Sequence, residues 1–303
     1  MRNESLRWGS IALAVGLALA GPVAAADSFD LAVTVDDLPV HGPLPAGMSW
    51  LGIAESHVAS FKAHGVPEAF GFVNAAKLKK FPESAAALDA WRKAGHPLGN
   101  HTFTHMNLDK APSIEAWQDD VVLGEPDVAS RMQGADWHYL RYPFLVAGGP
   151  RHDAALTFLK GRGYKIADVS LSFSDWAYTD TYARCVAKGD TQAIAAMKSY
   201  YLKSVDQEIA LMKTRSKQVY GRIIPQVLLT HMGGWSAVTL PDVLARLDAA
   251  GARYVTLAKA QSDPAYALSG SQNMIEREAA KRGITLTAGE AILPALDVNS
   301  LCN

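Results

Sequence analysis

The chain has 303 residues, 49% of them hydrophobic and 19% charged, which is enough apolar matter for a large core and far from a disordered or fibrous profile. Lys and Arg total 29 against 30 for Asp and Glu; a net charge of −1 offers no broad basic face for nucleic acid or acidic lipid and no acidic tail. The length fits one large α/β domain or two smaller ones.

Residues 1–26 open with Arg2 and Arg7, continue through an apolar run at 11–20, and end in Ala24-Ala25-Ala26 before Asp27. This is the pattern of a cleaved secretory signal. The alternative, a membrane anchor, needs roughly 20 apolar residues, and the run here stops earlier, at Gly21-Pro22. The mature protein is therefore expected outside the cytoplasm, periplasmic or secreted, without a membrane span. In an oxidising compartment the two cysteines, Cys185 and Cys302, are expected to pair and tie down the chain terminus, two buried free thiols being the alternative. Neither has the spacing of a zinc or redox motif.

Short β-rich apolar runs occur at 31–35, 69–73, 139–142, 165–169, 227–229 and 254–257. Helical periodicity fills the intervals at 52–64, 83–94, 114–132, 153–161, 191–213 and 240–250, with Gly65, Gly95, Gly161 and Gly251 as stop signals. Strands alternating with helices predict a mainly parallel sheet, either a barrel or an open doubly wound sheet. No Gly-rich phosphate fingerprint follows any strand, which removes the main support for a dinucleotide site. Residues 27–268 read as one domain and 269–303 as an extension with a helix at 273–282. The stretch 177–225, with its long helical pattern, suits a cap or flank of a cleft.

In such folds chemistry gathers where strands end. The first strand ends in Thr34-Val35-Asp36-Asp37, and adjacent carboxylates leaving a strand point different ways, so one can bind a metal while the other faces a substrate. An Asp pair at a strand end also serves as a turn or helix cap. His101 and His105 lie four apart, sharing a face if the segment makes a helical turn, and two imidazoles suit zinc or a similar cation. Arg141-Tyr142-Pro143-Phe144 leaves another strand, with an Arg able to orient a carboxylate. Ser174-Asp175-Trp176 and Leu229-Thr230-His231 complete the set: a His at a strand end is a candidate acid or base, and an Asp can hold its ring. Trp50, Trp137 and Trp235 suit either sugar stacking or core packing.

In this order the five segments resemble the polysaccharide deacetylases of carbohydrate esterase family 4, which carry a NodB homology domain. The family pattern stands here as TVDD at 34–37, HTFTH at 101–105, RYPF at 141–144, DW at 175–176 and LTH at 229–231. The resemblance covers about residues 30 to 260 and implies a distorted (β/α) barrel of the NodB homology type. It implies Asp37, His101 and His105 as ligands of a divalent metal, zinc being the expected ion. Asp36 becomes the catalytic base with Arg141 as its orienting partner, and His231 the catalytic acid held by Asp175. Tyr142, Phe144 and Trp176 are expected to meet substrate, the backbone N–H of Phe144 facing the oxyanion. Two departures stand out: Val35 replaces the usual Phe, and Phe144-Leu145 replaces Tyr-Gly beside the acyl group. The implied activity is metal-dependent removal of acetyl groups from N-acetylated sugars of a glycan or oligosaccharide. An esterase or amidase with another acyl substrate, and a glycan-binding protein without turnover, are the alternatives.

Overall fold

The structure, a computed structural model, describes residues 27–267 and 273–303. The signal segment 1–26 and the boundary at 268–269 lie outside the described residues. From its start the chain alternates strand and helix as β1 (Phe29–Leu38), α1 (Trp50–Ala63), β2 (Ala69–Val73), α2 (Ala76–Lys80), α3 (Ala85–Lys93), β3 (Leu98–Asn100), α4 (Ile114–Met132), β4 (Tyr139–Leu140) and α5 (His152–Gly161). It continues through β5 (Lys165–Ile166), β6 (Leu171–Ser172), α6 (Thr179–Lys188), α7 (Thr191–Tyr220), β7 (Gln226–His231), α8 (Gly234–Ala249), β8 (Ala252–Tyr254), α9 (Leu257–Ala260) and α10 (Met274–Arg282).

The strands form one sheet in the order β5-β4-β3-β2-β1-β7-β6, with β8 pairing β1. Every pairing is parallel. This is the distorted barrel expected from the alternation and the resemblance. Its edge strands, β5 and β6, are consecutive in sequence and separated by 167–170, and two side chains close the seam: Gln261 Nε2 donates to the Ile166 carbonyl and Asn273 Nδ2 to that of Ser170, both at 2.8 Å. β1 reads as an almost continuous apolar run because it is the central strand, covered on both faces, and all but one of its ten residues are buried. Its first and last described pairings with β7, Leu31 with Gln226 and Asp36 with His231, set the two strand ends side by side.

Local chemistry explains where several boundaries depart from expectation. The segment 254–257, expected to be a strand, splits: β8 ends at Tyr254, and Thr256 caps α9 by accepting a hydrogen bond from the Lys259 N–H at 3.1 Å. β3 and β6, three and two residues long, leave too little pattern to read in isolation. Gly99 in β3 is required by packing, since a Cβ there would stand 2.8 Å from both the Phe70 ring and the Tyr139 carbonyl oxygen. The region 177–225 holds two helices instead of one, α6 and the 30-residue α7.

The C-terminal segment lies along α7. Gln207 Nε2 donates to the Glu290 carbonyl at 2.6 Å, Arg215 Nε to that of Thr287 at 2.9 Å, and Cys302 forms a disulfide with Cys185 on α6. Trp235 is fully buried against Tyr178 at 5.2 Å between ring centres, so it belongs to the core. Among the described residues no helix is long and apolar enough to cross a membrane.

The disulfide joins positions 117 residues apart. Cys302→Ser should lower the melting temperature, with a chain-entropy ceiling of roughly 4 to 5 kcal/mol. Thermal unfolding of the oxidised protein and the variant, with and without reductant, checks this; identical curves would remove the bridge from the account of stability.

Candidate functional site

β1, β3, β4 and β7 end around one cleft of about 320 Å³, lined by Asp36, Asp37, His41, His101, His105, Phe144, Trp176 and His231 among others. At its floor lies Arg141, wholly buried just after β4. Its Nη1 donates to both Asp36 oxygens at 3.1 and 3.3 Å, Nη2 to Thr34 Oγ1 at 2.9 Å, and Nε to the Ala167 carbonyl at 2.6 Å. Its guanidinium also sits 4.8 Å from the centre of the Phe72 ring. A buried charge is tolerated only when paired and fully hydrogen-bonded, and these contacts meet that condition. Burial pushes the Asp36 carboxyl above its ordinary range, with Arg141 opposing the shift.

Asp37 leaves β1 with φ +65°, a left-handed conformation that turns its side chain away from that of Asp36. Its Oδ2 is 2.5 Å from His41 Nδ1. The other oxygen, Oδ1, is buried without a hydrogen bond, 3.8 Å from His101 Nε2 and 3.6 Å from His105 Nε2. Burial acts to raise the Asp37 carboxyl, but His41, Lys77 and the two imidazoles hold it well below the usual range. Burial holds both rings, His101 and His105, down to about 4, so they are neutral at neutral pH with lone pairs to offer. His101 Nδ1 donates to the Arg141 carbonyl at 2.7 Å, which leaves Nε2 as the free acceptor. One carboxylate oxygen and two imidazole nitrogens, all within 4.8 Å of one another, fit a divalent cation.

The helical turn expected at 101–105 is absent. The segment is a loop after β3, with Thr102 at φ +60° and His105 at φ +63°. Two side chains shape it: Asn100 Oδ1 accepts from the Thr102 N–H at 2.8 Å, and Asp120 on α4 accepts from Thr104 N–H and Oγ1 at 3.0 and 2.9 Å. The two histidines therefore converge through loop geometry instead of helical periodicity.

Across the cleft, His231 Nδ1 donates to Asp175 Oδ1 at 2.9 Å. Asp175 is buried, and its Oδ2 accepts from Thr230 Oγ1, the His231 N–H and Ser236 Oγ at 2.6, 2.8 and 2.6 Å. Burial acts to raise Asp175, but His231 and these hydrogen bonds hold it below its ordinary value. Burial alone would lower His231; Asp175, with Asp37 and Asp36, pushes it up to about 9. The ring is thus an imidazolium at neutral pH, with Nε2 directed away from Asp175.

Phe144 and Trp176, 63% and 54% exposed, form apolar walls at the mouth, and Phe144 packs on His105 at 4.4 Å between ring centres. Tyr142, expected to meet substrate, does not reach the cleft: it is buried and stacks on Trp117 at 5.8 Å, because alternation along the chain turns it to the opposite face from Arg141. His41 is the site residue that motif reading passed over. Its only signal is a spacing of four after Asp37, across Leu38-Pro39-Val40.

Residues 25–167 match the family model for polysaccharide deacetylase. No curated protein matches significantly. Among solved structures, a polysaccharide deacetylase of Bacillus cereus superposes with a TM-score of 0.53 and 19% identity over 75% of this chain and 91% of that one. The chitin deacetylase of the fungal pathogen Colletotrichum lindemuthianum gives 0.50 and 19%, over 76% and 86%. A family 4 pseudoenzyme of Bacillus anthracis gives 0.50 and 13%, over 78% and 66%. At these identities the likeness is one of fold.

Asp175→Asn should lower the pH at which the His231 ring loses its proton, since the largest effect holding that proton is removed. Losing the acceptor of three buried donors should also cost roughly 1–3 kcal/mol. Titration of the ring resonances by NMR reads the first effect, and an unmoved titration would detach Asp175 from the protonation of His231. By matched family model, sheet topology and ordered motifs, the chain belongs to the polysaccharide deacetylases of carbohydrate esterase family 4.

Proposed function

We propose that this chain is a metal-dependent hydrolase that removes acetyl groups from N-acetylated sugars of a glycan or oligosaccharide outside the cytoplasm. The observation that carries the reading is the buried Asp37 Oδ1, left without a hydrogen bond between the Nε2 atoms of His101 and His105. Such an orphaned anion is costly unless a cation belongs there. Asp37, His101 and His105 would hold a divalent ion, zinc by expectation, which when bound polarises an acyl oxygen and acidifies water.

The remaining chemistry falls to the chain's own groups. Asp36, fixed by Arg141 and made more basic by burial, takes a proton from the water whose oxygen attacks the acyl carbon. In the tight turn after Pro143 the N–H groups of Leu145 and Val146 bond to Tyr142 and Pro143, and the Phe144 N–H is the donor assigned to the oxyanion. As the carbon–nitrogen bond breaks, His231 Nε2 gives its proton to the leaving nitrogen, with Nδ1 held by Asp175. Acetate and a free amine result. Base and acid exchange their protons with solvent before the next cycle. Phe144 and Trp176 flank the acyl group and its ring.

The same fold occurs in a protein described as a pseudoenzyme, so fold alone carries no activity. What favours turnover here is the presence of every acid, base and ligand position in one cleft. The family match favours a saccharide over a simple ester, and acetate release from acetylated chito-oligosaccharides, compared with a panel of other acyl substrates, decides between them.

His101→Ala or His105→Ala should lose metal and activity together, because each removes one of three protein ligands. Full activity after exhaustive chelation would sink the metal-dependent reading. Asp36→Asn should keep its metal, measured by elemental analysis, while turnover falls by roughly 10²–10⁴-fold, since an amide cannot accept the water's proton. Metal loss in that variant, with retention in Asp37→Asn, would reverse the roles of the two aspartates.

A further inference from the structure

The largest cavity among the described residues lies beside the catalytic cleft. It measures about 730 Å³, within the roughly 300–1,000 Å³ of small-molecule sites. Phe144, Leu145 and Ser172 line both spaces, so the two are one continuous groove with these residues at the junction. The far wall comes from α7, through Tyr200, Ser204, Glu208 and Arg215, and from the C-terminal segment, through Asn273, Glu276 and Ile292. None of these belongs to the motifs at the strand ends.

The lining is rich in groups that both donate and accept hydrogen bonds: Ser170, Ser172, Ser174, Ser204 and two tyrosine hydroxyls, with Asn273. Such a surface recognises a polyhydroxylated ligand better than an acyl chain or a planar apolar ring. Two carboxylates, Glu208 and Glu276, outnumber the single Arg215, whose Nη1 lies 3.7 Å from Glu208, so the wall carries no surplus cation for a phosphate or uronate. The walls are also held in place. The C-terminal segment is pinned to α7 through Gln207 and Arg215 and to α6 through the Cys185–Cys302 disulfide, and Asn273 is bonded to the Ser170 carbonyl.

We propose that this second chamber binds the continuation of the saccharide, the neutral sugar units joined to the one whose acetyl group lies in the catalytic cleft, so that α7 and the C-terminal segment select an oligomer over a single sugar. The inference rests on the deacetylase reading for what occupies the first cleft. Phe144 and Leu145, which replace the family's Tyr-Gly, stand at the junction and shape the passage between the two spaces.

The test fills the chamber without touching the catalytic groups. Ser204 bonds only within its own helix, to the Tyr201 carbonyl at 2.6 Å, so Ser204→Phe adds bulk into the groove at little structural cost. Tyr200→Ala, which trims a half-buried wall residue, guards against misfolding of the first variant. Binding of N-acetylglucosamine and of fully acetylated chitotetraose is measured by calorimetry for wild type and both variants, and acetate release in parallel. The expected result is tetramer binding at least tenfold tighter than that of the single sugar in wild type. Both variants should lose most of that advantage, with binding and turnover of the single sugar unchanged. Equal affinity of wild type for the two ligands, or full tetramer preference in both variants, would overturn the chamber. Tight, variant-sensitive tetramer binding without acetate release would keep the chamber and reject the deacetylase reading instead.

Discussion

The site depends on one buried cation. Arg141 is wholly enclosed, and a guanidinium cannot shed its proton to escape the cost of burial, so its donors must be met by fixed acceptors. Those acceptors come from β1, in Thr34 and Asp36, and from the end of β5, in Ala167, while its own carbonyl accepts from His101 and its N–H bonds to the Asn100 carbonyl. A single residue thus ties the strand ends bearing the base and a metal ligand into one frame. The interaction is electrostatic in origin and geometric in consequence: it sets the Asp36 carboxylate and chooses the tautomer of His101.

Around that frame the backbone is strained where the chemistry lies. Eight described residues other than glycine have positive φ, and six of them, Asp37, Thr102, His105, Phe144, Leu145 and Ser174, stand in the loops leaving β1, β3, β4 and β6. Each left-handed non-glycine residue costs on the order of 1 kcal/mol or more and persists only where surroundings over-determine it. Here the restraints are the hydrogen bonds of Asn100, Asp120 and Asp175, and the return is the convergence of side chains from distant positions on one cleft. Rigidity of this kind suits a site whose groups must meet a reacting carbon without rearranging.

The paired electrostatics divide labour across the cleft. On one side burial lowers two imidazoles and Asp37 stays anionic, a neutral-plus-negative set suited to a cation. On the other, the Asp175 carboxylate, satisfied by three donors besides the ring, keeps His231 charged. The same residue type takes opposite protonation states within one pocket because its neighbours differ, which is how acid and ligand can coexist at one pH.

Much of this was legible in the residues. Hydrophobic alternation between strand and helix reports burial on both sheet faces, so β1, β2, α4 and the parallel architecture could be read directly, and Asp36-Asp37, Arg141, Asp175 and His231 follow strands whose apolar runs mark their ends. The rest required tertiary structure. β3 and β6 exist because neighbouring strands pair with them, and a run of two or three residues carries no period of its own. The spacing of His101 and His105 suggested a helix, but hydrogen bonds from Asn100 and Asp120, one of them on a distant helix, impose a loop. Tyr142 sits in a matching motif yet faces Trp117, since strand alternation after β4 is set by Arg141 pointing inward. His41 joins the site only because Asp37 turns left-handed, and the second chamber exists only because α7 and the chain's end meet beside β6. Composition and periodicity are local properties of the chain; which side chains share a cavity is decided by packing between segments far apart in it.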